Sequence, residues 1–168
     1  KQAAVLALLY PNEQDILEVV YIKRPSHNPH DRHGGQVSFP GGQLEATDNH
    51  FKDTALRETM EEIGVHRDHV QIIGALSPLY VFVSDFYVQP YVGFTSNKPQ
   101  FVLQESEVDY VITESVETLL HPQTIKQKDL LIRGNKIPKV PFFDIQGEVL
   151  WGATAMITSE LLEVIKKI

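Results

Sequence analysis

The sequence predicts an α/β (or α+β) sandwich in which helices cover a mixed β-sheet. Three observations predict it. Apolar, β-branched segments of strand length recur along the chain, two substantial helix-patterned segments stand among them, and 168 residues suit one domain, spanning 1–168, with a real core. A composition of 42% hydrophobic and 22% charged residues is that of an ordinary globular protein, which sets aside disorder, collagen-like repeats and coiled coils. No internal repeat or low-complexity tract interrupts it.

Ala3–Tyr10 and Leu17–Lys23 are apolar and flank the turn residues Pro11 to Asp15, so they predict a strand pair. Arg24 to Gly35 is polar and broken by prolines, and predicts a loop that holds His27, His30 and His33. Gln36–Pro40 predicts a short strand ended by Gly41-Gly42. The spacing of Phe51, Ala55, Leu56, Thr59 and Ile63 predicts a helix from about His50 to Ile63, with Asp48 or Asn49 as N-cap and Gly64 as its stop. Val70–Leu79 and Phe86–Phe94 read as strands around a Ser84-Asp85 turn, followed by a short apolar stretch, Phe101–Leu103. Glu114–Leu120 reads as a short helix stopped before Pro122. Asp129–Ile132 and Lys136–Phe143 flank the hairpin signal Arg133-Gly134-Asn135, and Ala153–Ile168 is an amphipathic closing helix with Trp151 packing it against the sheet.

The longest apolar run, Ala3–Tyr10, is far shorter than the ~18 residues that span a bilayer, so no membrane segment is expected. A net charge of −7 weighs against nucleic acid as a partner, since its binding rests on phosphate neutralisation. The absence of cysteine removes disulfides, thiolate nucleophiles and zinc–thiolate sites. A metal here must sit on oxygen or imidazole. Three histidines at 27, 30 and 33 invite a zinc reading, but Pro29 and the glycines after His33 keep them off a single helix. A cytoplasmic location is the default expectation.

The chemistry concentrates in Arg57-Glu58-Thr59-Met60-Glu61-Glu62-Ile63-Gly64-Val65. Glu58, Glu61 and Glu62 stand at i, i+3 and i+4, so on a helix three carboxylates come within reach of one another. They occupy the last two turns, where the helix dipole disfavours negative charge, so something positive should compensate. A solvated acidic face is the plain alternative. A hard divalent cation, Mg²⁺ or Mn²⁺, accounts for them and would also neutralise phosphate oxygens. Upstream, Phe39-Pro40-Gly41-Gly42-Gln43-Leu44-Glu45 is a segment whose glycines permit close backbone approach to a metal or pyrophosphate.

These residues resemble the signature of the Nudix hydrolase family, G-x5-E-x7-R-E-U-x-E-E-x-G-U with U aliphatic. Gly42, Arg57, Glu58, Glu61, Glu62, Gly64 and Val65 match it. Asp48 stands at the first glutamate, eight residues rather than seven separate it from Arg57, and Thr59 stands at an aliphatic position. The aspartate with its extra residue is a feature of the coenzyme A pyrophosphatase branch. That branch is similar elsewhere too: in H-x-G-Q-U-x-F-P-G-G, matched from His33 to Gly42, in Glu107-Val108, and in Trp151-Gly152-Ala153-Thr154-Ala155. One position departs, since Asp31 stands where the branch has an arginine, with Arg32 one place later.

The resemblance implies a Nudix-type α/β/α sandwich that hydrolyses the pyrophosphate bond of a nucleoside diphosphate derivative, coenzyme A or an acyl-CoA first, with ADP-ribose or NADH as the alternative. A non-catalytic nucleotide sensor is the reading from another class, and the retained glutamates argue against it. Glu58 and Glu62 with the Gly42 carbonyl would hold the principal cation. Glu61 would ligate a second cation or orient water, Glu107 would serve as an extra ligand or base, and Arg57 would lock Glu61 or Asp48 by an ion pair. Glu105 is as readily a solvated neighbour. The expected substrate contacts are Gly41, Gly42, Arg24, Arg32 and His33. Tyr80 and Phe82, with Phe86 and Tyr87 nearby, would stack on adenine or line a pantetheine channel, although such residues more often fill core and strand edges. The partner is a small-molecule nucleotide; a homodimer is left open.

Overall fold

The computed structural model describes residues 1–26, 33–132 and 134–168. Its spine is β1 (Gln2–Pro11), which pairs in parallel with β7 (Phe86–Phe94) from Gln2 to Leu9. On the other side β1 is antiparallel to β2 (Leu17–Lys23) only at Leu9–Pro11, and to β4 (Gly41–Gln43) at Ala3–Val5. Past that contact β2 leaves β1 and pairs with β3 (Val37–Ser38) at Ile22 and Lys23, while β8 (Tyr110–Ser115) runs along β2 from Glu18 to Lys23 on the other edge. β4 fills the place vacated beside β1, and the candidate site lies there. β5 (Gln71–Ala75) and β6 (Leu79–Val81) both pair with β7, completing the large mixed sheet.

β1 reads as an unbroken apolar run because both its faces are buried. Ala4, Leu6, Leu8 and Tyr10 join Val20 and Ile22 beneath α1 (Phe51–Ile63), whose Ala55, Leu56 and Ile63 supply the helix side of that core. Ala7 and Leu9 point to the opposite core, which contains Val19, Tyr21 and Phe39 and is covered by α2 (Val116–Leu120) and α3 (Gly152–Ile165). There the Tyr21 hydroxyl shares a hydrogen bond with Thr158 Oγ1 at 3.1 Å, so each is satisfied where water is absent. A second sheet of β9 (Ile125–Ile132), β10 (Asn135–Ile145) and β11 (Glu148–Leu150) adds Phe143, Ile145 and Leu150 to that core. The expected sandwich of a mixed sheet between helices is what forms.

Several element boundaries differ from the sequence expectation. The N-cap of α1 is His50, not Asp48 or Asn49, because the Asp48 carboxylate is taken by Arg57, Thr54 and the Glu45 amide. His50 N–H donates to Asp53 instead, at 3.1 Å. Gly41-Gly42 does not end the preceding strand but forms a strand of its own. Val70–Leu79 divides into β5 and the start of β6, with Ser77-Pro78 between and a bulge at Ile72/Gly74. Glu114 and Ser115 end β8, which the apolar pattern leaves unannounced, and the helix begins only at Val116 with Ser115 Oγ accepting from Thr118 N–H at 3.0 Å. The hairpin strands extend to Ile125 and Ile145 and gain β11 as a third member. Trp151 is half-buried at the N-cap of α3.

Gly64 does stop α1. Its φ of 74° is left-handed, its N–H returns to Met60 O at 2.9 Å, and an added Cβ would lie 2.8 Å from Val102 Cβ. Phe101–Leu103 is not a strand; it docks on this helix end, where Val102 N–H donates to Ile63 O and Gln104 N–H to Glu62 O, both at 3.0 Å. Gly64→Ala is therefore expected to cost about 1–2 kcal/mol from the left-handed backbone alone, read as a lower urea midpoint, with earlier proteolysis in the 101–108 loop.

Candidate active site

The site is built on the approach of α1 to β4. Gly41 has φ of 151°, and a Cβ there would sit 2.3 Å from the Ala4 carbonyl oxygen; a Cβ on Gly42 would sit 2.4 Å from the Glu58 carboxyl carbon. Two side-chain-free residues thus let the helix set its carboxylates directly on the strand. Gly41 N–H donates to Glu62 Oε2 at 2.9 Å, and Glu62 is only 1% exposed.

Glu58, Glu62 and Glu107 each offer a carboxylate oxygen, and these lie within 4.8 Å of one another. Glu107 arrives from outside α1. Its N–H donates to Gln104 O at 2.9 Å, the same residue whose N–H caps Glu62 O, and the buried Val108 anchors the loop in the core. The loop amides therefore meet the helix-end carbonyls and deliver the third carboxylate together. The last turn of α1 holds no basic residue, so backbone N–H groups supply part of the compensation expected of a positive group.

Burial pushes the Glu62 carboxyl up to about 8; the Gly41 N–H and Arg24 oppose the rise, and Glu58 and Glu107 add to it. Glu58 is also raised, first by burial, with Arg57 opposing. Charges this crowded favour a cation held among them, and the donor set is oxygen only, as Mg²⁺ and Mn²⁺ prefer.

Glu61 is not part of this group. At about 100° per residue it stands about 60° to one side of Glu58 while Glu62 stands about 40° to the other. Glu61 is 57% exposed and accepts from Arg57 Nη1 at 3.0 Å. Arg57 is the hub of the outer ring. It grips Asp48 with Nε at 3.0 Å and Nη2 at 2.9 Å, reaches Glu58 Oε1 at 3.0 Å, and donates to the Gln43 carbonyl at 3.1 Å. The guanidinium holds the Asp48 carboxyl far below the usual carboxylate range. Glu105 is exposed and outside the acidic group.

A cleft of about 710 Å³ opens beside the acidic group. Three cleft residues adjoin that group. Gly41 and Gly42 line the cleft and touch Glu62 and Glu58, while Arg24 lines it with Nη1 3.6 Å from Glu62 Oε1. His33 lines it too, its Nδ1 3.3 Å from Gln36 Oε1, as do the expected Tyr80 and Phe82. Arg32, Asp31, His27 and His30 lie outside the described residues. The sequence pattern missed Trp151, Leu131 and Met156 as cleft residues, since they come from separate elements with no spacing in common.

A NUDIX domain model matches residues 1–136. The chain belongs to the Nudix hydrolase family. This Nudix chain is 36% identical over 161 residues to the uncharacterized Nudix hydrolase NudL of Enterobacter sp. (strain 638), covering 96% of this chain and 81% of that one. It is 39% identical over 103 residues to the peroxisomal coenzyme A diphosphatase NUDT7 of Mus musculus, covering 61% of this chain and 43% of that protein. Its fold is similar to a Nudix hydrolase from M. smegmatis, RenU, with TM-score 0.69, 14% identity, and coverage of 99% of this chain and 86% of the other. Among the described residues, no helix is long and apolar enough to cross a membrane.

Two variants test this geometry. Gly42→Ala should leave the urea midpoint nearly unchanged, because the flexible Glu58 carboxylate is what must move, yet weaken divalent-cation affinity by about 10- to 100-fold in calorimetric titration. Asp48→Asn should cost about 2–3 kcal/mol at neutral pH. Because the folded-state pKa of Asp48 is depressed, the pair's contribution is present above about pH 4 and is lost as pH falls below it. Urea unfolding across the acid range should therefore show a shallower loss in the variant than in the parent.

Proposed function

We propose that the chain hydrolyses the pyrophosphate bond of coenzyme A or an acyl-CoA in a divalent-metal-dependent reaction, releasing 3′,5′-ADP and 4′-phosphopantetheine. The observation that carries the reaction type is the meeting of Glu58, Glu62 and Glu107 beside a cleft whose Gly41, Gly42 and Arg24 adjoin them. Support for the substrate comes from the matches around His33–Gly42 and Trp151–Ala155 and from the likeness to the mouse coenzyme A diphosphatase.

The residues fit Mg²⁺ or Mn²⁺: Glu58, Glu62 and Glu107, with the Gly42 carbonyl, would hold it. When bound, such a cation supplies charge neutralisation at the pyrophosphate and acidifies water. The chain does the rest. Gly41 N–H and the wall of α1 fix the Glu62 rotamer. Arg57, itself locked by Asp48, holds Glu58 at its station and keeps Glu61 at the rim, where it can orient water or meet a second cation. Glu107, the exposed member of the group, is assigned to take the proton of the attacking water. Water's oxygen joins one phosphorus, the bridging oxygen leaves with the other, and the proton ends in solvent. Arg24 and His33 line the path by which the anionic substrate enters.

Asp31, in place of an arginine, favours a second reading in which another dinucleotide such as ADP-ribose or NADH is cleaved. Mass spectrometry of products with Mg²⁺ or Mn²⁺ and each of coenzyme A, ADP-ribose and NADH decides between them. Phosphopantetheine from coenzyme A is the expected result. Cleavage of another compound keeps the chemistry and removes the substrate; cleavage of none overturns both. Glu62→Gln should lower turnover by roughly 100-fold or more with circular dichroism unchanged; full turnover would remove that glutamate from the site.

A further inference from the structure

Charge is not spread evenly along this acidic chain. Residues 125–141, most of the β9–β10 hairpin, hold five of the 15 basic residues and one of the 22 acidic ones, so the segment is net +4 in a chain of net −7 and the remainder carries −11. Lys126, Lys128, Lys136 and Lys139 are all exposed. Lys126 pairs with Asp144 and Lys136 with Asp129, whereas Lys128 and Lys139 have no carboxylate partner among the described residues. Lys128 Nζ lies over the Phe142 ring, 5.6 Å from its centroid.

This basic hairpin borders the cleft. Leu131 is one of the residues that line it, and Lys136 is Leu131's partner across the ladder, about 5 Å away between backbones. Lys128 stands three residues back along β9, about 10 Å. Lys139 sits at the bulge between Ile137 and Val140 with φ of 53°, where its N–H donates to Asp129 at 3.1 Å. The cleft floor crosses four strands, Gln43 pairing with Ala3, Ala3 with Val88 and Val88 with Leu79, yet among the described residues that line it Arg24 is the only one of fixed positive charge. None of the hairpin lysines lines it. Their charges act instead over about one screening length, ~10 Å at 0.1 M salt, on a ligand still approaching. The rest of the chain, at −11, repels an anion, so a local basic segment decides where one can arrive.

We propose that the β9–β10 hairpin is an electrostatic arm whose Lys128, Lys136 and Lys139 draw polyanionic nucleotides to the cleft and raise their association rate without taking part in bond cleavage. The inference rests on the nucleotide hydrolysis proposed above and adds how its substrate is captured. β9 is also the edge of its sheet, and lysines on an edge strand block pairing with other chains. That role alone would leave ligand association untouched.

Trp151 lines the cleft and is the single tryptophan, so its emission follows association in stopped flow. The probe is 3′,5′-ADP with Mg²⁺, which holds no pyrophosphate bond to cleave. In Lys128→Glu with Lys139→Glu its association rate at about 0.1 M salt should drop about threefold to tenfold while the dissociation rate stays near that of the parent. Parent and variant should converge near 1 M, where the screening length is about 3 Å. Lys166→Glu with Lys167→Glu changes the net charge equally at the far end of α3, about 13 Å along the helix from Ile157 at the cleft, and should leave the rate at 0.1 M close to the parent's. Lys128→Gln with Lys139→Gln should give about half the effect, and it replaces the reversal should circular dichroism show that variant misfolded. A parent without salt-dependent association, a reversal that changes nothing, or an equal loss in the Lys166 and Lys167 variant would overturn the arm. Failure of the proposed activity is separable: coenzyme A would go uncleaved in the product panel, and the nucleotide cleaved there in its place should lose kcat/KM rather than kcat in the hairpin variants.

Discussion

Everything in the site follows from one close approach, that of α1 to the Gly41-Gly42 strand. A side chain on either glycine would meet the Ala4 carbonyl or the Glu58 carboxylate well inside contact distance. With none there, a backbone N–H can reach a carboxylate that is otherwise shut away from water. A buried, charged glutamate is costly, and a single N–H and a guanidinium at 3.6 Å offset that cost only in part. The helix therefore stores an electrostatic demand at the point where a cation and a phosphate can satisfy it.

Two further contacts hold the demand in place. On the solvent side, Arg57 divides its donors among Asp48, Glu58, Glu61 and the Gln43 carbonyl, so the helix, the strand and the segment between them are tied by one planar cation. At the helix end, amides of the 101–104 loop cap the free carbonyls and the same loop carries Glu107 inward. The split between β1 and β2 makes the space: β2 turns to β3, and β4 enters beside β1. On the proposed reading, a site for small anions in an acidic chain is built this way without a surplus of basic residues, because a metal would bring the positive charge.

The cleft joins two chemistries across the width of four strands. At β4 it is bounded by Gly41, Gly42, Gln43 and Arg24. Beyond β6 it is bounded by aliphatic and aromatic side chains held apart by the bulged hairpin and the start of α3.

The sequence by itself determined the layered fold, the spine strand, the helix from about residue 50 to Gly64, and Glu58 and Glu62 as a pair on that helix. Each of these is a local matter: hydrophobic period, glycine backbone freedom and i, i+4 spacing act within a few residues. Spacing alone did not separate Glu61 from the pair, since three glutamates at i, i+3 and i+4 share a broad face until a strand packs on one edge of it; the family resemblance was what gave Glu61 a separate role. Nor did it show Tyr110–Ser115 as a strand, where half-buried residues leave no clean alternation. The resemblance offered Glu107 as a further ligand or base and Asp48 as one of two partners for Arg57, but only the tertiary structure brings Glu107 to Glu58 and Glu62, takes Asp48 from the helix N-terminus, and turns Leu131, Trp151 and Met156 to one cleft. Those outcomes depend on which distant segments meet, and such meetings are set by packing and by the satisfaction of buried polar groups, neither of which leaves a period in the chain.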